Sequence, residues 1–477
     1  QIRKTVVAIC LISILLLNSL DIFGIDGVLP LIQSHFGINS AETAIIQTSS
    51  STINTVSLGL MWLVGGAFER RKVYMISVAS WIVLSLLSII IGSDSFLIFV
   101  SFRSLAAAGS AVSGVLTPVL MADMFTDRAL GIALMCMTAC DMMTGFAISG
   151  ISSSFIVSAD FPWQTGLIPG PILSLLPLAG VLFLMRKSEH TVQKKPASVS
   201  DAFKLFSRKS FVYMTAALTL TSSNSRAYMF WIPSITLSAW TSSPSAFNGL
   251  SYPSITTINS FAFIAGNIIG MPILLWIAQS WHHGTGPFVH LGSRPNAYPI
   301  IVGIGSSFYA CIYILDLLIL DYSYIARMIV LFFSGFSTSA EMSLAQMIIM
   351  MVVPKSLRGS AMFLAKFIGG IVSTPSAQII GYLSDKFLGN SVVEADRFRS
   401  YRLAMLSFSI FLFTGVSCYG IVAFYFARDC KRAEEEEETN EKEGDEQTSL
   451  IESSRGRSES IFESIIRSRT HTMTEFR

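Results

Sequence analysis

Apolar and polar positions alternate along this chain in long blocks. Twelve predominantly apolar runs, roughly 5–31, 43–67, 73–92, 96–124, 129–156, 164–185, 210–238, 252–279, 299–320, 325–353, 359–384 and 402–427, are separated by mostly short polar breaks. At 1.5 Å of rise per residue, about 20 residues cross a hydrocarbon core of about 30 Å. Each run therefore predicts a membrane-spanning helix, numbered span 1 to span 12 in chain order. The longest break between spans, RKSEHTVQKKPASVSDAFKLFSRK, separates spans 6 and 7. It predicts an N-terminal six-helix bundle (1–186), a linker (187–209) and a C-terminal six-helix bundle (210–428). Within the linker, residues 199–206 (VSDAFKLF) read as a short amphipathic helix lying on the membrane surface, with Ser200 or Asp201 as its cap.

The halves also echo one another. Span 4 runs out through ADMFTDRALGIAL and span 10 through MVVPKSLRGSAMFL, each an apolar run, a turn with arginine, a glycine and a new apolar run. The predicted fold is an all-α membrane protein, twelve transmembrane helices in two pseudo-symmetric six-helix bundles. Beyond Arg428 the pattern stops. Residues 429–477 are charged and without apolar periodicity, which predicts a disordered tail. Within that tail Glu446, Leu450 and Ile451 have the spacing of an acidic dileucine sorting signal, which would recruit a clathrin adaptor.

Composition agrees with this pattern: 52% of the 477 residues are hydrophobic and 13% charged, which excludes a water-soluble domain of this size. The net charge of +2 says little about partners, because the charges are segregated. Basic residues gather after the even spans: Glu69-Arg70-Arg71-Lys72, Asp127-Arg128, the linker, Arg294, then Lys355 and Arg358. The loops after spans 1, 3, 5, 7 and 9 contain no lysine or arginine. Cytoplasmic loops accumulate these residues, so both termini are expected in the cytoplasm. The loop after span 11, with Lys386, Arg397, Arg399 and Arg402, is the exception.

No H-E-x-x-H, G-x-S-x-G or glycine-rich phosphate loop appears. The six cysteines and the group His282, His283 and His290 lack metal-ligand spacing. The sequence therefore reads as neither an enzyme, a metal or cofactor protein, nor a nucleic-acid binder.

Charges inside the spans carry the chemistry, because an ionised side chain in hydrocarbon costs at least a few kcal/mol and normally has a partner or a wet cavity. Arg103 stands in span 4 above a run of small residues, Ala106 to Ala111, that admits close neighbours. Counting residues places Asp21 roughly 24 Å and Arg103 roughly 20 Å from the cytoplasmic surface. The two therefore share a level, and a pair in the outer half of the cavity is expected. Asp141 in span 5, about 18 Å deep by the same count, is a candidate protonatable or cavity-lining group. Arg226 in span 7 lies near the level of Arg103. Glu341 in span 10 and Lys366 in span 11 lie closer to the cytoplasm, and Glu341 is expected to pair with Arg226 or with Lys366.

Specific motifs extend this picture. They are residues 21–33 (DIFGIDGVLPLIQ), Ile46-Gln47-Thr48, the 65–72 turn (GGAFERRK), FRSLAAAGSAVSGVLTPVLMADMF, the 163–167 segment (WQTGL), the linker into Phe211, Trp231-Ile232-Pro233 and the 381–386 segment (GYLSDK). In these the chain resembles the Spinster family of the major facilitator superfamily over nearly all of its membrane region. The resemblance implies export of lysophospholipids from lysosomes or of sphingosine phosphate across the plasma membrane, generally proton-coupled or facilitated. It implies Asp21 and Arg103 as the functional acid and base, and Glu69, Arg70, Arg71 and Lys72 as conformational gating residues. The chain departs from the family at Ser110, where a carboxylate usually follows the helix 4 glycine. Asp141 or Asp21 would then take over proton coupling.

The expected function is secondary transport of a lysophospholipid or sphingolipid-type amphipath by alternating access, in a lysosomal or late endosomal membrane, with the plasma membrane as the alternative. Two other readings stay open: a transporter-like lipid receptor or scaffold without turnover, and a transporter of a small organic anion or sugar.

Overall fold

The computed structural model describes residues 2–38, 40–64, 68–126, 129–134, 136–137, 162–185, 203–389 and 393–474. In the N-terminal half these form span 1 (Ile2–Phe36), span 2 (Ser40–Val64), span 3 (Arg70–Ile90), span 4 (Phe96–Met124) and span 6 (Pro169–Leu184). Asp141, most of span 5 and most of the linker lie outside the described residues. The C-terminal half has span 7 (Lys209–Ser242), span 8 (Tyr252–His283), span 9 (Ala297–Ile319), span 10 (Tyr324–Met351), span 11 in two pieces (Arg358–Ser373 and Ser376–Leu388) and span 12 within Glu394–Thr474.

Nine of the described helices are long and apolar enough to cross a membrane. Spans 2 and 7 are not among them, because serine and threonine crowd both (TSSST in one, TLTSSNS in the other). Those hydroxyls are used within the protein, as in the bond from Ser104 Oγ of span 4 to Ser49 Oγ of span 2, 2.8 Å long.

Two sequence expectations need correction. Span 11 is not continuous. Pro375 has no N–H to give and its ring clashes with the preceding turn, so the helix stops at Ser373 and restarts at Ser376. The tail is not disordered from residue 429: the helix of span 12 runs on to Thr474. Glutamate, lysine, arginine and alanine are strong helix formers. The pairs of Lys431 with Glu435 and Arg432 with Glu436 add i,i+4 support. Of the predicted surface helix at 199–206, the described part is a single 3-10 turn, Lys204–Ser207. Leu205 is buried there, and the Phe203 ring meets Trp62 edge-on at 5.2 Å.

The end of the bundle that carries the linker is called the inner end. Both termini of the membrane region lie there. Arg3 Nε donates to Leu184 O at the exit of span 6 (2.6 Å), and Lys4 Nζ to Met124 O at the exit of span 4 (3.3 Å). One continuous apolar core at this end includes residues of both halves, from Leu11, Leu58 and Leu120 to Leu344, Met362 and Phe426. Across the seam Phe367 of span 11 lies over Gly59 of span 2, and Gly370 over Thr55.

Towards the outer end the core divides. One cluster, with Tyr228, Tyr313 and Phe408, belongs wholly to the C-terminal half, and another, with Ile46, Phe99 and Trp163, wholly to the N-terminal half. Among the described residues, then, the halves are joined at the inner end and part at the outer end.

Candidate functional site

Span 4 meets span 3 at Gly109, where an added Cβ would stand 2.4 Å from Ser77 O and 2.9 Å from Trp81 N. Only glycine permits this approach, and it brings Trp81 and Ser85 of span 3 beside Arg103. Asp21 of span 1 completes the group. Arg103 Nη1 donates to Asp21 Oδ1 (2.9 Å) and to Ser85 Oγ (3.3 Å), and Nη2 donates to the Asp21 backbone oxygen (2.5 Å). Trp81 Nε1 and Ser85 Oγ both donate to Asp21 Oδ2 at 2.8 Å.

The predicted pair thus exists, but its position is corrected. It lies inside the N-terminal bundle, with Arg103 5% and Asp21 2% exposed, and does not line the opening between the halves. Two turns further in, Ser110 Oγ donates to Asn18 Oδ1 of span 1 at 2.9 Å, a neutral link. Within the membrane, span 1 is therefore held to span 4 by the Arg103 and Asp21 group and by Ser110 with Asn18.

In the C-terminal half the expected pairing of Glu341 with a cation is not found: no arginine or lysine side chain among the described residues comes within salt-bridge distance of it. Hydroxyls hold the buried carboxylate instead, Thr221 on Oε1 and Ser306 on Oε2 (3.3 Å). Lys366 is exposed on span 11 and makes its contacts elsewhere. Arg226 is accessible although protein encloses it, as a side chain in a cavity wall would be. Among the described residues nothing accepts a hydrogen bond from it. It stands five residues, about 7.5 Å, outward of Thr221.

A second buried ion pair escaped the sequence reading. Arg327 at the outer start of span 10 donates through Nε to Asp316 Oδ1 of span 9 (3.3 Å) and through Nη2 to Thr236 Oγ1 (3.2 Å). Tyr228 donates to Asp316 Oδ2 at 2.5 Å. Arg327 is 0% and Asp316 2% exposed. Only four residues, caps included, separate the helix ending at Ile319 from the one starting at Tyr324, so an acid just before that turn and an arginine just after it face each other. That spacing was the available signal. Tyr228→Phe removes a hydrogen bond to a charged acceptor and should cost about 1.5–3 kcal/mol, read as a lowered unfolding midpoint in detergent.

The gating residues of the 65–72 turn occupy the inner end. Glu69 pairs with Lys72 at 3.3 Å, and Arg71 Nη2 donates to Leu182 O at 2.8 Å. Arg70 Nη1 makes a two-pronged contact with Asp123 of span 4, at 3.0 and 2.9 Å. Its Nη2 crosses to the other half, donating to Lys355 O (2.7 Å) and Ser356 O (3.1 Å). Asp123, unmarked in the sequence reading, aims the one arginine seen here to bridge both halves.

A divided helical bundle with a closed inner gate and buried charges matches one family model, Major Facilitator Superfamily, over residues 11–377. The chain belongs to the Major Facilitator Superfamily. Among known facilitators it is similar to protein spinster homolog 1 of Xenopus laevis, 23% identical over 91% of this chain and 83% of that protein. It is also similar to the sphingosine-1-phosphate transporter SPNS2 of Xenopus tropicalis, 24% identical over 91% and 84%. Solved facilitators share the fold. The crystal structure of a bacterial homolog of the human lysosomal transporter Spinster, inward-facing and unoccupied, superposes with a TM-score of 0.56 at 12% identity, covering 90% of this chain and 98% of that one. The proton:xylose symporter XylE gives 0.61 at 11% identity, covering 86% and 95%.

Proposed function

We propose that this facilitator moves a single-chain phospholipid or sphingolipid with an anionic head across the membrane by alternating access. The observation that carries this reading is Arg226, an accessible guanidinium inside span 7 with no acceptor among the described residues. An accessible cation without a counter-ion in low-dielectric surroundings is stabilised by a bound anion, and arginine matches phosphate geometry. Glu341, held by hydroxyls alone, supplies a group that can exchange a proton as the site fills and empties. Asp141 remains the N-terminal candidate for that role, and Asp21, with its hydrogen bonds satisfied by Arg103, Trp81 and Ser85, serves to hold span 1 in place. Rocking of the two halves about the inner seam supplies the alternating access.

The experiment is flux of radiolabelled lysophospholipid and sphingosine phosphate into proteoliposomes, with and without a pH gradient. Flux of either supports the reading, and binding without flux would favour a receptor. Flux of neither lipid, with uptake of a small organic anion or sugar, would overturn the lipid assignment.

We place the inner end in the cytoplasm on the distribution of lysine and arginine, and the protein in lysosomal or late endosomal membranes through Glu446, Leu450 and Ile451 acting with a clathrin adaptor. Leu450→Ala with Ile451→Ala should then move the tagged protein to the cell surface in immunofluorescence. Unchanged lysosomal staining would remove the signal from consideration.

A further inference from the structure

The acidic stretch after span 12 makes contacts that neither transport chemistry nor sorting requires. Asp429 accepts from the backbone N–H of Ser210 through Oδ2 at 2.8 Å, placing an anion on the positive N-terminus of span 7. Arg208, 3% exposed, donates through Nη1 to Val352 O (2.7 Å) and through Nη2 to Glu436 Oε2 (2.6 Å). The next residue, Glu437, grips Lys355 twice: Oε1 accepts from the Lys355 backbone N–H at 2.7 Å, and Oε2 lies 3.0 Å from Nζ.

The short turn Lys355–Leu357 is the one whose carbonyls receive Arg70 from the opposite half. Its N–H side is therefore held by the tail and its C=O side by the N-terminal bundle. Arg358, next in the chain, lies within electrostatic reach of Glu437, Asp123 and Arg70.

We infer that the first turns of the tail, Asp429 to Glu437, are a working part of the inner gate: a strap that fixes the 355–357 turn in the position where Arg70 can lock onto it. A turn held only from the Arg70 side would be free to tilt, and the carbonyls would leave the line of the guanidinium. Because charge-assisted bonds hold the strap, its release favours the state in which the inner end opens. Any event that neutralises or displaces Glu436 and Glu437 would then control the transport cycle from outside the membrane. This inference is independent of the substrate.

The chain contains its own reporter. Cys430 lies within the strap, half-buried, where burial first, then the nearby carboxylates of Glu434 and Asp429, push its thiol up to about 12. Thiolate is the reactive form, so maleimide should react slowly with Cys430 at neutral pH while the strap is docked. In a full-length variant with the other five cysteines replaced by serine, Glu436→Gln with Glu437→Gln should raise that rate more than tenfold. In a second variant with all six native cysteines replaced, nitroxides at Phe68 and Val289, both exposed at the inner end, should show at least a twofold larger population at the longer, gate-open distance.

The control is Glu435→Gln with Glu438→Gln, which removes the same charge from exposed positions and should leave both readings unchanged. An unaltered Cys430 rate in the strap variant would show that these contacts do not hold the tail. Faster labelling with an unchanged distance distribution would show a tail that docks without gating. An equal response in the control pair would reduce the effect to net charge. Each of these results overturns the inference.

Discussion

Replacing Arg103 with glutamine should be among the most damaging single changes in this chain, costing about 3–5 kcal/mol of folding stability. The arginine itself supplies little net energy, since removing both ions from water offsets most of their attraction. The damage comes from what stays behind. Asp21, 2% exposed, would keep its bonds from Trp81 and Ser85 but lose the cation and both guanidinium contacts. A buried carboxylate without a counter-ion must either take a proton or draw water into the space between spans 1, 3 and 4.

Asp21→Asn in the Arg103→Gln background removes the stranded charge and should recover a substantial part of the loss, which distinguishes a buried pair from two unrelated residues. Thermal unfolding of the four proteins in one detergent closes the cycle. A double variant no more stable than Arg103→Gln alone would show that the coupling is not between these two side chains. Since span 1 is joined to span 4 by this group and by Ser110 with Asn18, transport should fall with the midpoint and recover with it.

How much of this was readable beforehand follows from which information sequence contains. Depth along a helix is a count of residues, and it placed Asp21 and Arg103 at one level correctly. Azimuth around a helix depends on what packs where, so the count could not show that Trp81 and Ser85 would close over the pair and seal it from the opening. Glu341 failed for the same reason. Arg226 and Lys366 lie at plausible depths, but the carboxylate points towards Thr221 and Ser306.

Asp316 and Arg327 sit within one turn of a helix end, where charged side chains ordinarily reach out to the interface, and so attracted no notice. The tail was misread because an acidic run is equally the composition of a disordered segment and of a good helix. Arg208 and Lys355, more than 80 residues away in sequence, anchor its first turns.

Arg226→Gln should have the largest effect on ligand binding, weakening a phosphate-bearing lysolipid about 30-fold or more. That corresponds to about 2 kcal/mol, a modest figure for a charge-assisted contact in a poorly solvated site. The sign follows from the geometry. Arg226 is accessible and has no acceptor among the described residues, so its removal strands no acceptor in the protein and should leave the unfolding midpoint nearly unchanged, the opposite of Arg103→Gln. Arg226→Lys keeps the charge but loses the planar pair of donors, and should fall between.

A zwitterionic lysolipid and its neutral monoacylglycerol counterpart, compared by equilibrium binding to the purified protein, complete the argument. If Arg226 holds the head, its replacement weakens the first and spares the second. If both weaken equally, the residue shapes the cavity without touching charge, and the head must be held elsewhere, with Lys366 the next cation inward to replace.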